Sequence, residues 1–359
     1  MPRRILFLTN TYFQLIVAIQ LRRTVLKDTE ADIVVTNHSA GCEAICSRLS
    51  DSGLFRKVFF VRQKSRELQP GLLRRLCYFL PYGLFREKML KQAADLPDDY
   101  EEIWFNNAIT LTHLVWRHCP KARLCRFEEG YGTYTKPLVE KKTVRYLFRL
   151  FFGDIEKKLD RLYLFHPELY FAPETVPVYQ IPILQRDDGE LRCLLNRIFD
   201  YRPQEEFADC TYVFLEESFR LDGEAVPDVE LIGRIAEALG RDKLIVKRHP
   251  RSNDDPYTAM GIKTIRSMDR IPWEVIQMNQ CLQGKKLISI SSGSILASVL
   301  YFQEEIPSYL LFRCIPVKPH VVNDVYEKYL AALRQKAGWL CVPDSFQEFL
   351  RMIDPKSGS

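Results

Sequence analysis

Short apolar runs alternate with amphipathic segments along the whole chain. At the start, an apolar run at residues 5–8 leads through a polar loop into residues 14–25, where apolar side chains recur every three or four positions. Such a run predicts a buried strand, and the 3.6-residue spacing predicts a helix. Further strands are predicted at residues 31–35, 57–61, 102–105, 123–127, 162–165, 178–181, 211–215, 243–246, 286–290 and 308–312. Further helices are predicted at residues 42–54, 229–239, 272–278, 294–302 and 324–336.

A polar break at residues 182–190 separates two such series of strands and helices. With 359 residues, the chain is long enough for two domains that each have their own core. We predict domains at residues 1–190 and 208–350, with the boundary within residues 185–208. The regular alternation of strands and helices predicts an α/β fold with two Rossmann-like domains that face a central cleft.

Composition narrows the class of protein. The chain is 47% hydrophobic and 27% charged, with a formal net charge of +5, which suits a globular protein that binds anionic ligands or an anionic membrane surface. That charge is too small and too dispersed to indicate binding of nucleic acid, and the sequence contains no recognition helix, zinc finger or RNA-binding motif. No apolar stretch reaches the ~18 residues of a membrane span.

The ten cysteines are scattered and form no Cys-x-x-Cys pair. Several lie in apolar runs, which indicates reduced thiols rather than a disulfide framework or a zinc site. The apolar run at the N-terminus is too short for a signal peptide. These patterns together predict a cytosolic protein.

Two stretches combine basic and aromatic side chains, at residues 72–91 and 141–158. A basic amphipathic helix can lie in a membrane interface, with its rings at the acyl boundary and its cations on anionic headgroups. The commoner arrangement is a helix that packs its aromatic side chains inward and leaves a solvated basic face. Both interpretations stay open, and the first predicts a peripheral contact with the inner face of the cell membrane.

A charged turn follows the apolar run at residues 244–246. Its sequence, Lys-Arg-His-Pro-Arg at residues 247–251, places one imidazole among three cations. Because ligands of open α/β sheets bind at the carboxyl ends of strands, this turn suits a phosphate-bearing leaving group. The imidazolium of His249 would supply a proton to that group. The alternative is a His-Pro turn on a basic surface.

A hydroxyl-rich turn follows the predicted strand at residues 286–290. It contains Ser291, Ser292 and Gly293 and leads into a predicted helix, so that free N–H groups and hydroxyls offer an anion site. Upstream, Glu274 begins a short helix, where its carboxylate can accept the two hydroxyls of a ribose. Serine N-capping and a first-turn acid that complements the helix dipole are the structural alternatives.

Acids that could serve as a general base follow a strand in each half. Glu128 and Glu129 precede Gly130 after the strand at residues 123–127, and Asp222 lies in the loop after the first strand of the second half. A carboxylate at a strand end suits a base that takes a proton from an acceptor hydroxyl, and a solvated acidic turn is the alternative. Asp-x-Asp, a Walker loop and Gly-x-Gly-x-x-Gly are all absent from the sequence, so we expect no central divalent metal.

Taken together, these motifs resemble the bacterial sialyltransferases, most closely the lipooligosaccharide and capsule enzymes of glycosyltransferase family 52. The family pattern is an acidic-acidic-glycine turn in the first half, a His-Pro in the second half and a serine pair after a later strand. Here the three motifs are Glu128-Glu129-Gly130, His249-Pro250 and Ser291-Ser292. The segment around Glu274 is similar to the ribose-binding segment of related sialyltransferases.

The resemblance implies a GT-B fold and metal-independent, inverting transfer from CMP-sialic acid to a sugar hydroxyl of a surface glycan. It implies that His249 protonates or stabilises the departing phosphate, that Ser291 and Ser292 hold this phosphate and that Glu274 holds the ribose. It also implies a homodimer and no cofactor. Supporting charge is expected from the basic residues Lys247, Arg248 and Arg251.

The sequence leaves two assignments open. For the base, we prefer Asp222 slightly, with Glu128 close behind and Glu129 beside it. For the function, the alternatives are a GT-B enzyme with another nucleotide sugar and a non-catalytic nucleotide-binding or membrane-docking protein.

Overall fold

A computed structural model describes residues 2–37, 41–62, 72–172, 175–203, 207, 209–252, 254–265 and 269–354. The chain divides into two compact units, Met1–Pro182 and Ile183–Ser359. Each unit is an α/β sandwich built on one parallel sheet. This confirms the predicted fold class of two Rossmann-like α/β units.

The first unit contains a seven-stranded parallel sheet. Its strands are β1 (Arg4–Thr9), β2 (Glu30–Thr36), β3 (Lys57–Val61), β4 (Glu102–Phe105), β5 (Arg123–Phe127), β6 (Leu159–Leu164) and β7 (Val178–Gln180). In space they follow the order β3-β2-β1-β4-β5-β6-β7. The direction of this order reverses between β1 and β4, where ligands of such sheets bind. Residues 5–9 of β1 are all buried, as expected for a strand that helices cover on both faces.

Along the chain, one or two helices follow each of the strands β1 to β5. They are α1 (Tyr12–Arg23), α2 (Cys42–Asp51), α3 (Leu72–Leu84), α4 (Arg86–Ala93), α5 (Thr110–His118), α6 (Tyr131–Thr135) and α7 (Lys142–Phe152). The hydroxyl of Thr11 accepts a hydrogen bond from the Gln14 backbone N–H and so caps α1 directly after β1.

The second unit contains a six-stranded parallel sheet in the order β10-β9-β8-β11-β12-β13. Its strands are β8 (Tyr212–Leu215), β9 (Leu244–Lys247), β10 (Lys263–Thr264), β11 (Lys286–Ser289), β12 (Ser308–Leu310) and β13 (Leu340–Cys341). Its helices are α8 (Gly189–Phe199), α9 (Phe219–Asp222), α10 (Asp228–Leu239), α11 (Pro256–Ala259), α12 (Trp273–Asn279), α13 (Ala297–Leu300), α14 (Asp324–Lys336) and α15 (Phe346–Ile353).

The structure differs from the sequence-based expectation in several elements. Helix α8 occupies much of residues 185–208, for which only a domain boundary was predicted. The helix predicted at residues 294–302 is a 3-10 turn at Gly293–Leu296 followed by the four-residue α13. Helix α5 was missed because its residues 110–116 are all buried, so no apolar periodicity marks it. Strands β10 and β13 are two residues long, which is too short to show alternation.

Candidate functional site

Two adjacent glutamates leave β8, the strand that pairs with β9 on one side and with β11 on the other. All three strands are parallel, so their carboxyl ends lie at one edge of the sheet. Glu216 engages the loop after β9, and Glu217 engages the loop after β11. One pair of acids thus joins the two loops that carry most of the residues proposed to bind the donor.

The Glu216 carboxylate is the centre of the β9 loop. It accepts hydrogen bonds from the backbone N–H of His249, the Ser252 hydroxyl and the Tyr257 hydroxyl, each at 2.8 Å. The guanidinium of Arg220 adds an ion pair at 3.0 Å. Because the carboxylate is buried, these four donors are what make an ionised group tolerable there. Sequence analysis assigned Glu216 no role.

The imidazole of His249 is neutral in this environment. Its Nδ1 accepts a hydrogen bond from the backbone N–H of Arg251 at 3.2 Å, which leaves the single ring proton on Nε2. Burial, followed by the nearby charges of Arg251 and Lys247, lowers the pKa of His249 to about 4. The ring therefore offers an N–H donor at neutral pH, whereas the sequence-based prediction assumed an imidazolium.

Glu217 organises the serine loop after β11. Its carboxylate accepts hydrogen bonds from the Ser291 hydroxyl at 2.7 Å, the Ser291 backbone N–H at 2.8 Å and the Ser289 hydroxyl at 3.0 Å. Burial raises the pKa of Glu217 to about 7, although these hydrogen bonds oppose the rise. Ser291 is buried, and its hydroxyl proton is committed to Glu217.

The next two residues of that loop are more accessible. The Ser292 hydroxyl accepts a hydrogen bond from the Ser294 backbone N–H at 3.2 Å and caps the 3-10 turn. Gly293 is exposed, and a Cβ placed on it would meet no atom within 4 Å. The backbone at Gly293 thus borders open space, into which a ligand can come close.

Asp222 forms an ion pair with a residue of the β9 loop. Its Oδ2 accepts from Arg251 Nη2 at 2.9 Å and from the Ser218 hydroxyl at 2.6 Å. Burial alone would raise the pKa of Asp222, but these two donors outweigh it and lower the pKa below its ordinary value. An ionised, paired carboxylate is a weak proton acceptor.

The other basic residues of the β9 turn are held by protein groups. Buried Lys247 donates from Nζ to the carbonyls of Arg248 and Asp269, and burial lowers its pKa to about 8. Arg248 forms an ion pair with the Asp269 carboxylate. Glu274, at the start of α12, is buried, and burial raises its pKa to about 7, opposed in part by the charge of Lys247.

Glu128 is enclosed in the first unit. Its Oε2 accepts from the Tyr134 hydroxyl at 2.6 Å and from the backbone N–H of Phe165 at 2.8 Å, and its side chain is fully buried. Phe165 directly follows β6, the neighbour of β5. This geometry fixes the loop after β6 and leaves Glu128 poorly placed for proton transfer to a substrate.

Glu129 lies where the ends of three strands meet. Its carboxylate interacts with the side chains of Thr11, Gln14 and Asn107, which follow β1 and β4. Burial raises the pKa of Glu129 above its ordinary value, and these hydrogen bonds oppose the rise. Its backbone N–H donates to the Thr133 hydroxyl at 2.9 Å. Glu129 is only partly enclosed and lies beside the point where the strand order reverses.

The structure places most of the sequence-predicted candidates at strand ends and adds four residues to which sequence analysis assigned no role, namely Glu216, Glu217, Thr11 and Asn107. A signal for the first two was available, because an apolar strand followed by Glu-Glu occurs in both halves of the chain. Within the described residues, no group of three His, Cys, Asp or Glu side chains could hold a metal ion. The expectation of metal-independent chemistry stays a prediction.

No protein-family model and no curated protein sequence matches this chain. Solved structures do resemble it. An α/β-galactoside α-2,3-sialyltransferase from Photobacterium phosphoreum is similar at a TM-score of 0.53 and 9% identity, over 95% of this chain and 98% of that chain. Arabidopsis thaliana UGT89C1 complexed with UDP is similar at 0.52 and 10%, over 100% and 91%. A UDP-N-acetylglucosamine 2-epimerase is similar at 0.52 and 12%, over 99% and 89%.

The chain has the GT-B fold. At these identities the likeness concerns the fold alone, so membership of glycosyltransferase family 52 stays a prediction.

Proposed function

We propose that this GT-B protein is an inverting, metal-independent sialyltransferase that moves sialic acid from CMP-sialic acid to a sugar hydroxyl of a surface glycan. The main support is the edge formed by β9, β8 and β11, where an imidazole N–H, the Arg251 guanidinium and the serine loop lie at adjacent strand ends. The family motifs and the fold support the same reaction class.

In this proposal, His249 binds the departing phosphate through its Nε2–H. The neutral ring can fill this role because its Nε2–H is a hydrogen-bond donor while Nδ1 accepts from the Arg251 backbone N–H. An approaching phosphate adds negative charge, which raises the pKa of the ring and favours uptake of a second proton from solvent. The imidazolium formed in this way can give that proton to the phosphate as the bond to the sugar breaks, and the ring returns to its neutral state. Ser292 and the exposed backbone at Gly293 supply further donors, and Arg251 supplies charge.

Glu274 is assigned to the ribose hydroxyls of the nucleotide. Its carboxyl group is buried and its pKa is raised to about 7, because burial penalises the charged form more than the charge of Lys247 favours it. Two ribose hydroxyls would donate to that carboxylate and replace the water that burial excludes. Lys247 would then act from behind, as a charge that keeps Glu274 ionised.

We assign the general base to Glu129 rather than to Asp222 or Glu128. The acceptor hydroxyl attacks the anomeric carbon, the bond from that carbon to the CMP phosphate breaks with its electron pair on the phosphate, and the hydroxyl proton passes to the carboxylate. A raised pKa improves such a base. Asp222 is paired with Arg251, and Glu128 is fully enclosed.

A second candidate is a GT-B enzyme that uses a different nucleotide sugar. The residues above bind the phosphate and ribose rather than the transferred sugar, and one of the similar structures contains UDP. A non-catalytic nucleotide-binding protein is the candidate from another class.

The deciding assay measures nucleotide released from CMP-sialic acid, UDP-glucose and UDP-N-acetylglucosamine by the purified protein. We expect release of CMP from CMP-sialic acid and no release of UDP from either UDP-sugar. UDP release with no CMP release would establish the second candidate, and binding of CMP without release from any donor would establish the third.

The same assay tests His249. We expect His249→Ala to lower turnover at least about tenfold, because a positioned proton donor typically contributes ~10²–10⁴-fold. The control is His320→Ala, whose side chain is 86% exposed in the same unit. Near-normal turnover in a folded His249→Ala protein removes His249 from the mechanism.

A further inference from the structure

Helices α3 and α7 of the first unit lie side by side and run in the same direction. Near their beginnings, Arg75 Nη1 donates to the Thr143 hydroxyl at 2.6 Å. Near their ends, a Cβ placed on Gly83 would lie 2.5 Å from the ring of Phe151, so glycine permits the close approach there. The two helices thus form one continuous seam.

Each helix also carries large apolar side chains that point into solvent. On α3 they are Leu73, Leu80 and Leu84, which are 78%, 50% and 67% exposed. On α7 they are Tyr146 and Leu150, which are 66% and 60% exposed. Neighbouring members are four or seven positions apart, which places the members of each set on one face of its helix.

The two sets lie on the same side of the seam. Leu84 immediately follows Gly83, which faces α7, and Leu150 immediately precedes Phe151, which faces α3. Since one residue turns a helix by about 100°, a step forward on one helix and a step back on its parallel neighbour lead to the same side. We call the surface formed by Leu73, Leu80, Leu84, Tyr146 and Leu150 the α3–α7 surface.

The charge on these helices has one sign. The two helix sequences contain five basic residues and no acidic residue. The basic residues are Arg74, Arg75, Lys142, Arg145 and Arg149. Arg145 and Arg149 pair with Glu156 in the following turn, while no ion pair with a described residue engages Arg74 or Lys142. Lys142 precedes Tyr146 by one helical turn, so it borders the α3–α7 surface.

We propose that the α3–α7 surface docks onto an anionic lipid bilayer. Exposed leucine side chains and a tyrosine ring suit the acyl boundary, and the surrounding cations suit anionic headgroups. Docking is peripheral, because no helix among the described residues is long and apolar enough to cross a membrane. A second copy of the chain is a poorer occupant, because pairing the two surfaces would bring cations against cations. The inference does not depend on the proposed reaction.

The test measures partition of the full-length protein onto vesicles by co-sedimentation. One set of vesicles is phosphatidylcholine alone, and the other is equal parts phosphatidylcholine and phosphatidylglycerol. We expect binding to the anionic vesicles at low salt, at least about tenfold weaker binding to the neutral ones, and loss of binding at high salt. Absence of binding to the anionic vesicles overturns the proposal.

Variants locate the surface. Leu84→Ser combined with Leu150→Ser should weaken partition at least about tenfold, since two large apolar side chains no longer enter the bilayer. Lys142→Glu should weaken it by about fivefold or more. The matched controls, Val317→Ser with Val325→Ser and Lys328→Glu, change exposed residues of the second unit and should leave partition unchanged.

Two outcomes contradict the assignment. Partition that the α3–α7 variants leave intact places lipid binding elsewhere. Light scattering that shows a wild-type dimer and a monomeric Leu84→Ser, Leu150→Ser protein, with partition unchanged, makes the surface a contact between copies instead. Thermal unfolding of each variant verifies that the first unit is folded.

Discussion

Two Glu-Glu pairs follow strands in equivalent ways, one in each unit. Glu128-Glu129 leaves β5, and Glu216-Glu217 leaves β8. In each pair the first glutamate is buried. It accepts one hydrogen bond from a tyrosine hydroxyl and one from a backbone N–H in the loop after a neighbouring strand. The first member of each pair therefore fixes the adjacent loop, although only Glu128 was a candidate for chemistry from the sequence.

The pairs differ in the donors identified around the first glutamate and in what the second glutamate contacts. Glu216 forms an ion pair with Arg220 at 3.0 Å and accepts a second hydroxyl hydrogen bond, from Ser252, in addition to that from Tyr257. Glu217 is committed to serine donors of the loop after β11, whereas Glu129 contacts amide and hydroxyl side chains at the switch point of the sheet. The same local pattern thus supports the serine loop in one unit and provides a candidate base in the other.

The largest expected effect is on turnover, and it distinguishes the second glutamates of the two pairs, Glu129 and Glu217. We expect Glu129→Gln to lower turnover ~10²–10⁴-fold with little change in donor KM, because a proton acceptor is lost while shape is retained. Glu217→Gln should mainly raise donor KM. Steady-state kinetics on both variants measures this. Asp222→Asn tests the alternative base. A greater loss of turnover in Asp222→Asn than in Glu129→Gln would identify Asp222 as the general base.

The next prediction compares how much the first glutamates of the two pairs, Glu216 and Glu128, contribute to stability. Glu216→Ala should reduce the free energy of unfolding by about 3 kcal/mol, because the donors on His249, Ser252 and Tyr257 lose their shared acceptor. Arg220 keeps its ion pair with buried Asp228 at 2.8 Å. Glu128→Ala should cost about 1–3 kcal/mol through unsatisfied neutral donors. Denaturant unfolding measures both, and the exposed Glu237→Ala should change stability by less than about 0.5 kcal/mol. Equal losses for Glu216 and Glu128 would show that the contacts of Glu216 with Arg220 and Ser252 add nothing to its contribution to stability.

A smaller effect concerns pH. Burial raises the pKa of Glu217 from its ordinary value of 4.5 to about 7 in the folded state, so the folded protein holds this proton more tightly than the unfolded chain does. The resulting stability is fully present below pH 4.5 and is lost as pH rises through about 7. We expect Glu217→Gln to remove about 2 kcal/mol of this decline, less than the full shift implies because the carboxyl is partly exposed.

The measurement is urea unfolding of wild type and Glu217→Gln at several pH values. His249 acts in the opposite sense, since its pKa is lowered to about 4 and its contribution is lost as pH falls from 6.5 towards 4. The difference between the two proteins cancels the histidine contribution, which both share. Parallel pH profiles would mean that Glu217 is ionised throughout.

The smallest expected effect is that of chelation. We expect turnover to persist in excess EDTA, because the proposed mechanism neutralises the phosphate with an imidazole, a guanidinium and loop donors. If EDTA abolished turnover and Mg²⁺ restored it, this prediction would be wrong. The glutamates of one pair would then bind a metal ion, rather than support a loop or accept a proton.

The sequence alone determined the fold class and the location of the candidate residues along it. Alternating strands and helices predict parallel sheets, and in a parallel sheet every strand ends at the same edge. This is why His249, Ser291 and both glutamate pairs could be placed at strand ends without a structure. Helix α14, with a clear apolar spacing, was predicted with its observed bounds, Asp324–Lys336.

Only the tertiary structure decided what each of those side chains does. Glu216 meets Tyr257 across 41 positions, and Glu217 meets Ser291 across 74. No local pattern encodes such contacts, because they depend on which strands become neighbours and on the face to which each side chain turns. For the same reason, the neutral state of His249 and the pairing of Asp222 with Arg251 emerge only when burial and charge are known in three dimensions.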